Sequence, residues 1–222
     1  MFLRILLSVF ALTSVVQCQI KPCCYPDQWE AVEGILAGSM NDEGDTAITN
    51  AYIQIAYDAK EQRVYGEETA TTGSLTKQYT FLQLYNESVQ YTIVNKTCTR
   101  SKLAPWNNQN CIPANASFVS QYRLGLNQSI MVSDFSYNTG TVSNVVTVTN
   151  DMCVPVVTQR TGNINGVEVM LSAGVQGITA GIKDPSVFNV PDICKSGKVI
   201  DDKEMKKSWT FAREVKHKLG FH

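Results

Sequence analysis

Histidine is almost missing from this chain. There are two, His217 and His222, and both sit in the tail. A Ser-His-Asp or Cys-His site would have to recruit that tail. Gly-x-Gly-x-x-Gly, His-Glu-x-x-His and a phosphate-binding loop do not occur. No apolar run reaches the roughly 20 residues that a helix needs to cross a bilayer. Charge is close to balanced, with a net of −1, so nothing invites nucleic acid. Asp42, Glu43 and Asp45 beside Gly44 make a loose calcium-loop pattern. They lack the distal Glu and the register of the full motif, and a solvated turn is the plainer reading. These absences point to a binding or structural protein and not to an enzyme.

What is present begins with an address. Arg4 precedes an apolar run from Ile5 to Val16, the charge order and length of a secretory signal. Val16 and Cys18 are small enough for the cleavage positions, which places a signal peptide over 1–18. The rival reading is a buried N-terminal helix. Cleavage leaves 204 residues, with 18 basic and 20 acidic. It also leaves six cysteines: Cys23, Cys24, Cys98, Cys111, Cys153 and Cys194. An even number in an oxidising compartment implies three disulfides. Cys23 and Cys24 are neighbours and would pair with each other only through a strained ring, so they clamp the N-terminus to two parts of the body. A zinc site is the competing reading, but Cys-x-x-Cys spacing and nearby histidines are lacking. Four sequons, at Asn86, Asn95, Asn115 and Asn127, mark a glycoprotein.

The apolar period is two over most of the chain, which argues strands. Ala51, Ile53, Ile55 and Tyr57 alternate with Tyr52, Gln54, Ala56 and Asp58. Val89, Tyr91 and Ile93 alternate with Gln90 and Thr92. Val167, Val169, Leu171 and Ala173 do the same, and Thr141 to Thr149 is a valine-threonine run suited to a pleated sheet. Turn residues at Asp58–Gln62, Asn86-Glu87 and Asn163–Gly166 separate them. This spacing predicts an antiparallel sandwich or open barrel over 19–200. Lys96 to Ser117 reads as a long loop, and such loops are functional or stapled. The tail, 201–222, places Met205, Trp209, Ala212, Val215 and Leu219 on one helical face. It holds six basic and four acidic residues, whereas Gln19–Ile200 holds 12 and 16. A basic amphipathic helix is expected there, packed on the body, free in solvent, or against a membrane surface.

One stretch stands apart: Gly181 to Cys194, "GIKDPSVFNVPDIC". It resembles the C-terminal signature of the ependymin-related family. Cys23-x-x-Pro26-x-x-Trp29 is similar to that family's opening motif, and Tyr85–Val94 to its central hairpin. Cys98, Pro105-Trp106 and Ile112-Pro113 with the Asn115 sequon resemble its middle loop, and Cys153-Val154-Pro155-Val156 its next cysteine block. The ordered set covers roughly 23–194.

The resemblance implies an all-β fold: two curved antiparallel sheets in an open, lipoprotein-carrier-like half-barrel or sandwich over an apolar pocket, here with a C-terminal helix. It implies a bound lipid, a homodimer, calcium and contact with matrix components. The apolar faces of the alternating runs nominate Ile53, Ile55, Val89, Tyr91, Ile93, Val167, Val169 and Leu171 to line the pocket. It further implies that Cys23 pairs with Cys153 and Cys98 with Cys194. Cys24 and Cys111 then remain for a third bridge, holding the Lys96–Ser117 loop as a flap over Trp106. An arrangement of Cys24 with Cys98 and Cys111 with Cys194 stays open. Within the signature, Pro185 and Pro191 fix φ. Lys183 and Asp184 are free to pair with each other or with the body. The segment is either a stapled exit from a strand or part of a pocket rim or dimer contact. Two functions compete: a secreted carrier of a hydrophobic ligand, and a matrix or signalling glycoprotein.

Overall fold

The computed structural model describes residues 20–106, 110–164, 167–195 and 198–199. The signal peptide expected at 1–18 and the amphipathic helix expected at 201–222 lie outside them. The strands are β1 (Gln28–Met40), β2 (Thr46–Asp58), β3 (Arg63–Thr72), β4 (Leu75–Leu84), β5 (Val89–Val94), β6 (Thr97–Lys102), β7 (Ser117–Leu124), β8 (Ile130–Thr139), β9 (Val142–Thr149), β10 (Pro155–Ile164), β11 (Val167–Ala180) and β12 (Lys198–Val199). Among the described residues the one α-helix is a single turn, α1 (Asp192–Lys195). Cys98, at the start of the segment expected to be a loop, lies in β6. Its Thr-Cys-Thr-Arg-Ser-Lys sequence buries only Cys98 and Ser101, too little apolar content to show as a strand.

All twelve strands form one hydrogen-bonded sheet, ordered β12-β6-β5-β4-β3-β2-β1-β11-β10-β9-β8-β7. The two expected halves are therefore continuous. β1 joins them, with Ile35 opposite Ala51 on one side and Ala173 on the other. β6 and β7 lie ten strand spacings apart, about 48 Å across a flat sheet. Residues 103–116 connect them, and fourteen residues span at most about 50 Å fully extended. This connection includes a turn, closed by Ala116 N–H donating to Pro113 O. The sheet must therefore curl until its edges approach, in the direction set by its natural twist.

The curl defines an inner face. Directly opposed residues share a face, so Trp29, Ala31, Ile35 and Ala37 of β1 lie beside Tyr57, Ile55, Ala51 and Thr49 of β2. All are buried. Val169, Leu171 and Ala173 continue the same core on β11. Gly66 makes room for the Phe81 ring, because a Cβ on it would stand 2.3 Å from that ring.

The outer face is covered over β2–β6 by the Gly181–Cys194 segment. Phe188 and Cys194 pack there with Ala56, Leu82, Leu84, Val89 and Tyr91. Gly181, at φ +81°, turns the chain out of β11. Lys183 pairs with the body: its N–H donates to Glu30 Oε1 at 2.8 Å, and its ammonium is 3.8 Å from Glu30 Oε2. Asp184 instead caps the following 3-10 turn by accepting from Ser186 N–H at 2.9 Å. The Ser186 hydroxyl first, and this N–H second, hold its carboxyl below the usual carboxylate range. The segment is thus a strap, anchored at one end by the strand and at the other by Cys98–Cys194.

Asp58 ties the strap to the sheet. It is fully buried and accepts from Arg63 Nε and Nη2, both at 2.9 Å, from Gln28 Nε2 at 3.0 Å and from Glu61 N–H at 3.2 Å. Arg63, so held, lies 4.3 Å over the Phe188 ring. Replacing Asp58 with Ala leaves the guanidinium without its carboxylate and the Gln28 and Glu61 donors unmet, a loss of about 3–5 kcal/mol by analogy with broken buried pairs. Chemical denaturation is expected to show it as a lower midpoint with an unchanged slope. A midpoint within error of wild type would remove Asp58 from this role.

Candidate functional site

Two segments close over the inner face. The N-terminal segment lies on β8 and β9, where Ile20, Cys23 and Tyr25 pack with Ile112, Phe135, Val146, Val148 and Cys153. It runs antiparallel to the middle of the long connection. Tyr25 N–H donates to Asn110 O at 2.6 Å, and Ile112 N–H to Cys23 O at 3.0 Å. Cys24 and Cys111 face each other in that short ladder. The structure pairs Cys23 with Cys153, Cys24 with Cys111, and Cys98 with Cys194. Cys24 is joined to Cys111 and not to Cys98, so adjacent cysteines clamp one segment to the β9–β10 turn and to the long connection.

The first part of the connection covers β2. Leu103 is buried in the main core, and half-buried Trp106 packs against it. The Trp106 ring is 5.7 Å from Tyr57 and edge-on to Tyr85 at 4.9 Å, and Tyr57 stacks on Trp29 at 5.2 Å. These four rings form one aromatic group, with Trp106 as its outer wall. Trp29 Nε1 and Tyr57 Oη are both closed off from water, with no hydrogen-bond partner among the described residues. Burial, then Tyr25 and Asp27, push the Tyr57 phenol far above its ordinary value. It remains a donor across the physiological range.

The inner face is not purely apolar. Glu33, Glu68 and Arg160 are buried on it. Burial pulls Arg160 below its ordinary value, and Tyr137, Tyr25 and Glu33 oppose that pull. Burial, with Tyr137 adding to it, raises the Tyr25 phenol.

Of the residues nominated for the pocket, Ile53, Ile55, Val167, Val169 and Leu171 face or pack on this inner core. Val89, Tyr91 and Ile93 belong to the cluster under the strap on the outer face. An open groove of about 300 Å³ lies on the outer face beside the strap. Glu30, Val32, Gln54, Tyr65 and Lys183 border it, and Ile55 alone of the nominated residues does so. The Trp29–Tyr57–Trp106–Tyr85 group is not visible in the sequence. Trp29 belongs to the opening motif and Tyr57 to an alternating run, but their pairing depends on register, which no spacing in the sequence reports.

All four sequon asparagines are exposed. Asn86 sits in a 3-10 turn and donates to Glu61 O at 3.0 Å. Asn95 has φ +49° in the β5–β6 turn. At the β1–β2 turn, Asn41 Oδ1 accepts from Glu43 and Asp45 N–H, and its amide donates to Asp45 Oδ2 at 3.1 Å. Among the described residues no group of three or more His, Cys, Asp or Glu is placed to hold a metal ion. None of their helices is long and apolar enough to cross a membrane.

A curled, mostly antiparallel sheet, closed by a disulfide-held N-terminal segment and bound outside by a stapled strap, defines a class of disulfide-stapled β protein. Residues 73–194 match the Ependymin family. The chain is 31% identical over 184 residues to mammalian ependymin-related protein 1 of Rattus norvegicus, covering 79% of this chain and 77% of the relative. It is 30% identical over 187 residues to ependymin-related protein 1 of Haliotis asinina, covering 78% and 90%. The chain belongs to the ependymin family. Among solved structures, it is similar to an uncharacterised conserved protein from Thermus thermophilus, with a TM-score of 0.40, 8% identity and coverage of 78% and 90%. It is also similar to a LolA superfamily protein from Nitrosomonas europaea, with a TM-score of 0.28, 7% identity and coverage of 75% and 92%. Both likenesses are too distant to bear on the site.

Cys24 is exposed, whereas Cys98, Cys153 and Cys194 are buried. Access governs thiol exchange, so a mild dithiol should open Cys24–Cys111 first. Mapping with an alkylating label will show the order. The double replacement Cys24→Ser and Cys111→Ser should speed cleavage between Lys102 and Asn110 while far-ultraviolet dichroism stays unchanged. Equal protection of that segment in the variant and the parent would count against the bridge as its clamp.

Proposed function

We propose that this is a secreted, non-catalytic glycoprotein that holds a lipid or other hydrophobic molecule against the inner face of its sheet. The observation that carries this reading is the pair of buried donors, Trp29 Nε1 and Tyr57 Oη, in an aromatic and aliphatic surround. A buried donor without an acceptor costs about 1–3 kcal/mol, and a ligand with an oxygen at one end supplies the acceptor. The apolar remainder of such a ligand suits Ile53, Ile55, Val169 and Leu171, consistent with the largely apolar lining of small-molecule sites. Trp106 is the wall on a loop and is half-buried, so it is the group that shifts when a ligand reaches the donors. Three disulfides and four exposed sequons support passage through an oxidising, glycosylating compartment.

The test uses the secreted protein. Native mass spectrometry looks for copurified lipid, and titration with N-phenyl-1-naphthylamine after delipidation looks for saturable binding. Neither being found would end the proposal. Tyr57→Phe keeps the ring and removes the donor. It is expected to weaken displacement of the dye by a fatty alcohol about 3- to 10-fold, the worth of one hydrogen bond, and to leave the dye's own affinity unchanged.

A further inference from the structure

The two edges of the sheet are treated differently. β12 covers part of the β6 edge, pairing parallel at Thr99 and Arg100. β7 is the last strand at the other edge, and its outer backbone groups have no partner strand among the described residues. Eight residues long, or about 27 Å, it is exposed on both faces. Phe118 is 44% exposed, Val119 54%, Tyr122 39% and Leu124 36%, and Leu126 at the β7–β8 tip is 97% exposed.

Such a strand is a template for pairing with another chain, and proteins blunt it with proline, inward charge, extra lysines or a covering element. β7 contains no proline and no acidic residue. Its one charge, Arg123, is held sideways by donating to Ser129 Oγ at 3.3 Å. Of the usual devices only a bulge is present, where the register against β8 shifts between Phe118 and Ser120, and it leaves the rest of the strand open.

What stands at the edge instead is a sequon at each end. Asn115 is two residues before Ser117, and Asn127 is three residues after Leu124 and next to Leu126. Both asparagines are exposed. An N-glycan is bulky and strongly hydrated. An incoming strand has to lie along β7 for several residues to form a ladder, so it meets one glycan or the other in either direction. We propose that N-glycans on Asn115 and Asn127 guard the open β7 edge and keep this apolar strand from pairing with a second copy of the chain. Asn86 and Asn95 sit in the β4–β5 and β5–β6 turns of the other half and take no part in this.

This inference rests on the secretory reading above, and the experiment separates the two. Glycopeptide mapping of protein secreted from eukaryotic cells comes first. Sugar on all four or on Asn115 and Asn127 alone permits the rest. Sugar on Asn86 or Asn95 with Asn115 and Asn127 empty overturns only the guard, and no sugar anywhere overturns the glycoprotein reading with it. Light scattering then compares the wild type, an Asn115→Gln and Asn127→Gln variant, and an Asn86→Gln and Asn95→Gln control. The first variant is expected to at least double its polypeptide mass per particle in a concentration-dependent way. The control keeps the wild-type assembly state. If the variant is not secreted, enzymatic removal of glycans from the folded wild type gives the same readout. Adding Val119→Lys, a charge on the edge itself, should return the stripped protein to the wild-type state. An assembly state that does not change when the sugars are removed, or a change that Val119→Lys does not reverse, overturns the proposal.

Discussion

Fourteen residues have to carry the chain from one edge of a twelve-strand sheet to the other, and that constraint shapes the molecule. A flat sheet would consume the whole reach of 103–116 and leave nothing for the turn at Pro113–Ala116 or for the ladder with Cys23–Tyr25. Curling brings the edges together and turns one face inward. The same connection then becomes the cover of that face, with Trp106 over Tyr57 at one end and Ile112 against Phe135 and Val148 at the other.

The outer face is organised by a second device. The strap from Ile182 to Cys194 packs Phe188 over β3–β5, and a buried carboxylate reaches it indirectly. Asp58 fixes the Arg63 guanidinium, which lies on the Phe188 ring. A hairpin turn and a disulfide-anchored segment more than 100 residues later thus share one charge. Asp58 accepts from Arg63, Gln28 and Glu61 at once, and a buried ion is costly when its hydrogen bonds are incomplete.

Much of this was legible from residues. Alternation at Ile53, Ile55 and Tyr57, and at Val169, Leu171 and Ala173, marks strands because a pleated chain exposes every second side chain to one face. The cysteine order and the stiff Gly181–Cys194 segment pointed to a stapled body. Alternation does not say which face is which. Val89, Tyr91 and Ile93 show the same period as Ile53 and Ile55, yet they serve the strap side, because that depends on how β4 and β5 register against β3. β6 was hidden for another reason. Its burial is carried by a cysteine and a serine, so its pattern reads as polar. The aromatic group at Trp29 and Trp106 needed two distant segments to meet, which no local signal reports.

The central position of β1 has a consequence for how the chain reaches this state. Its β2 edge can pair as soon as the next hairpin is made, but its other edge waits for β11, with Ile35 opposite Ala173. A chain emerging from its N-terminus must therefore hold the middle of its sheet half-finished for well over a hundred residues. Contacts that far apart in sequence form slowly, and unpaired edges invite misassembly while they wait. Cys23 and Cys24 sit just ahead of that strand, and their partners at Cys111 and Cys153 are both translated before β11. Closing those bridges early would park the N-terminal segment on the second half of the sheet and bring the open edge of β1 to where β11 will arrive.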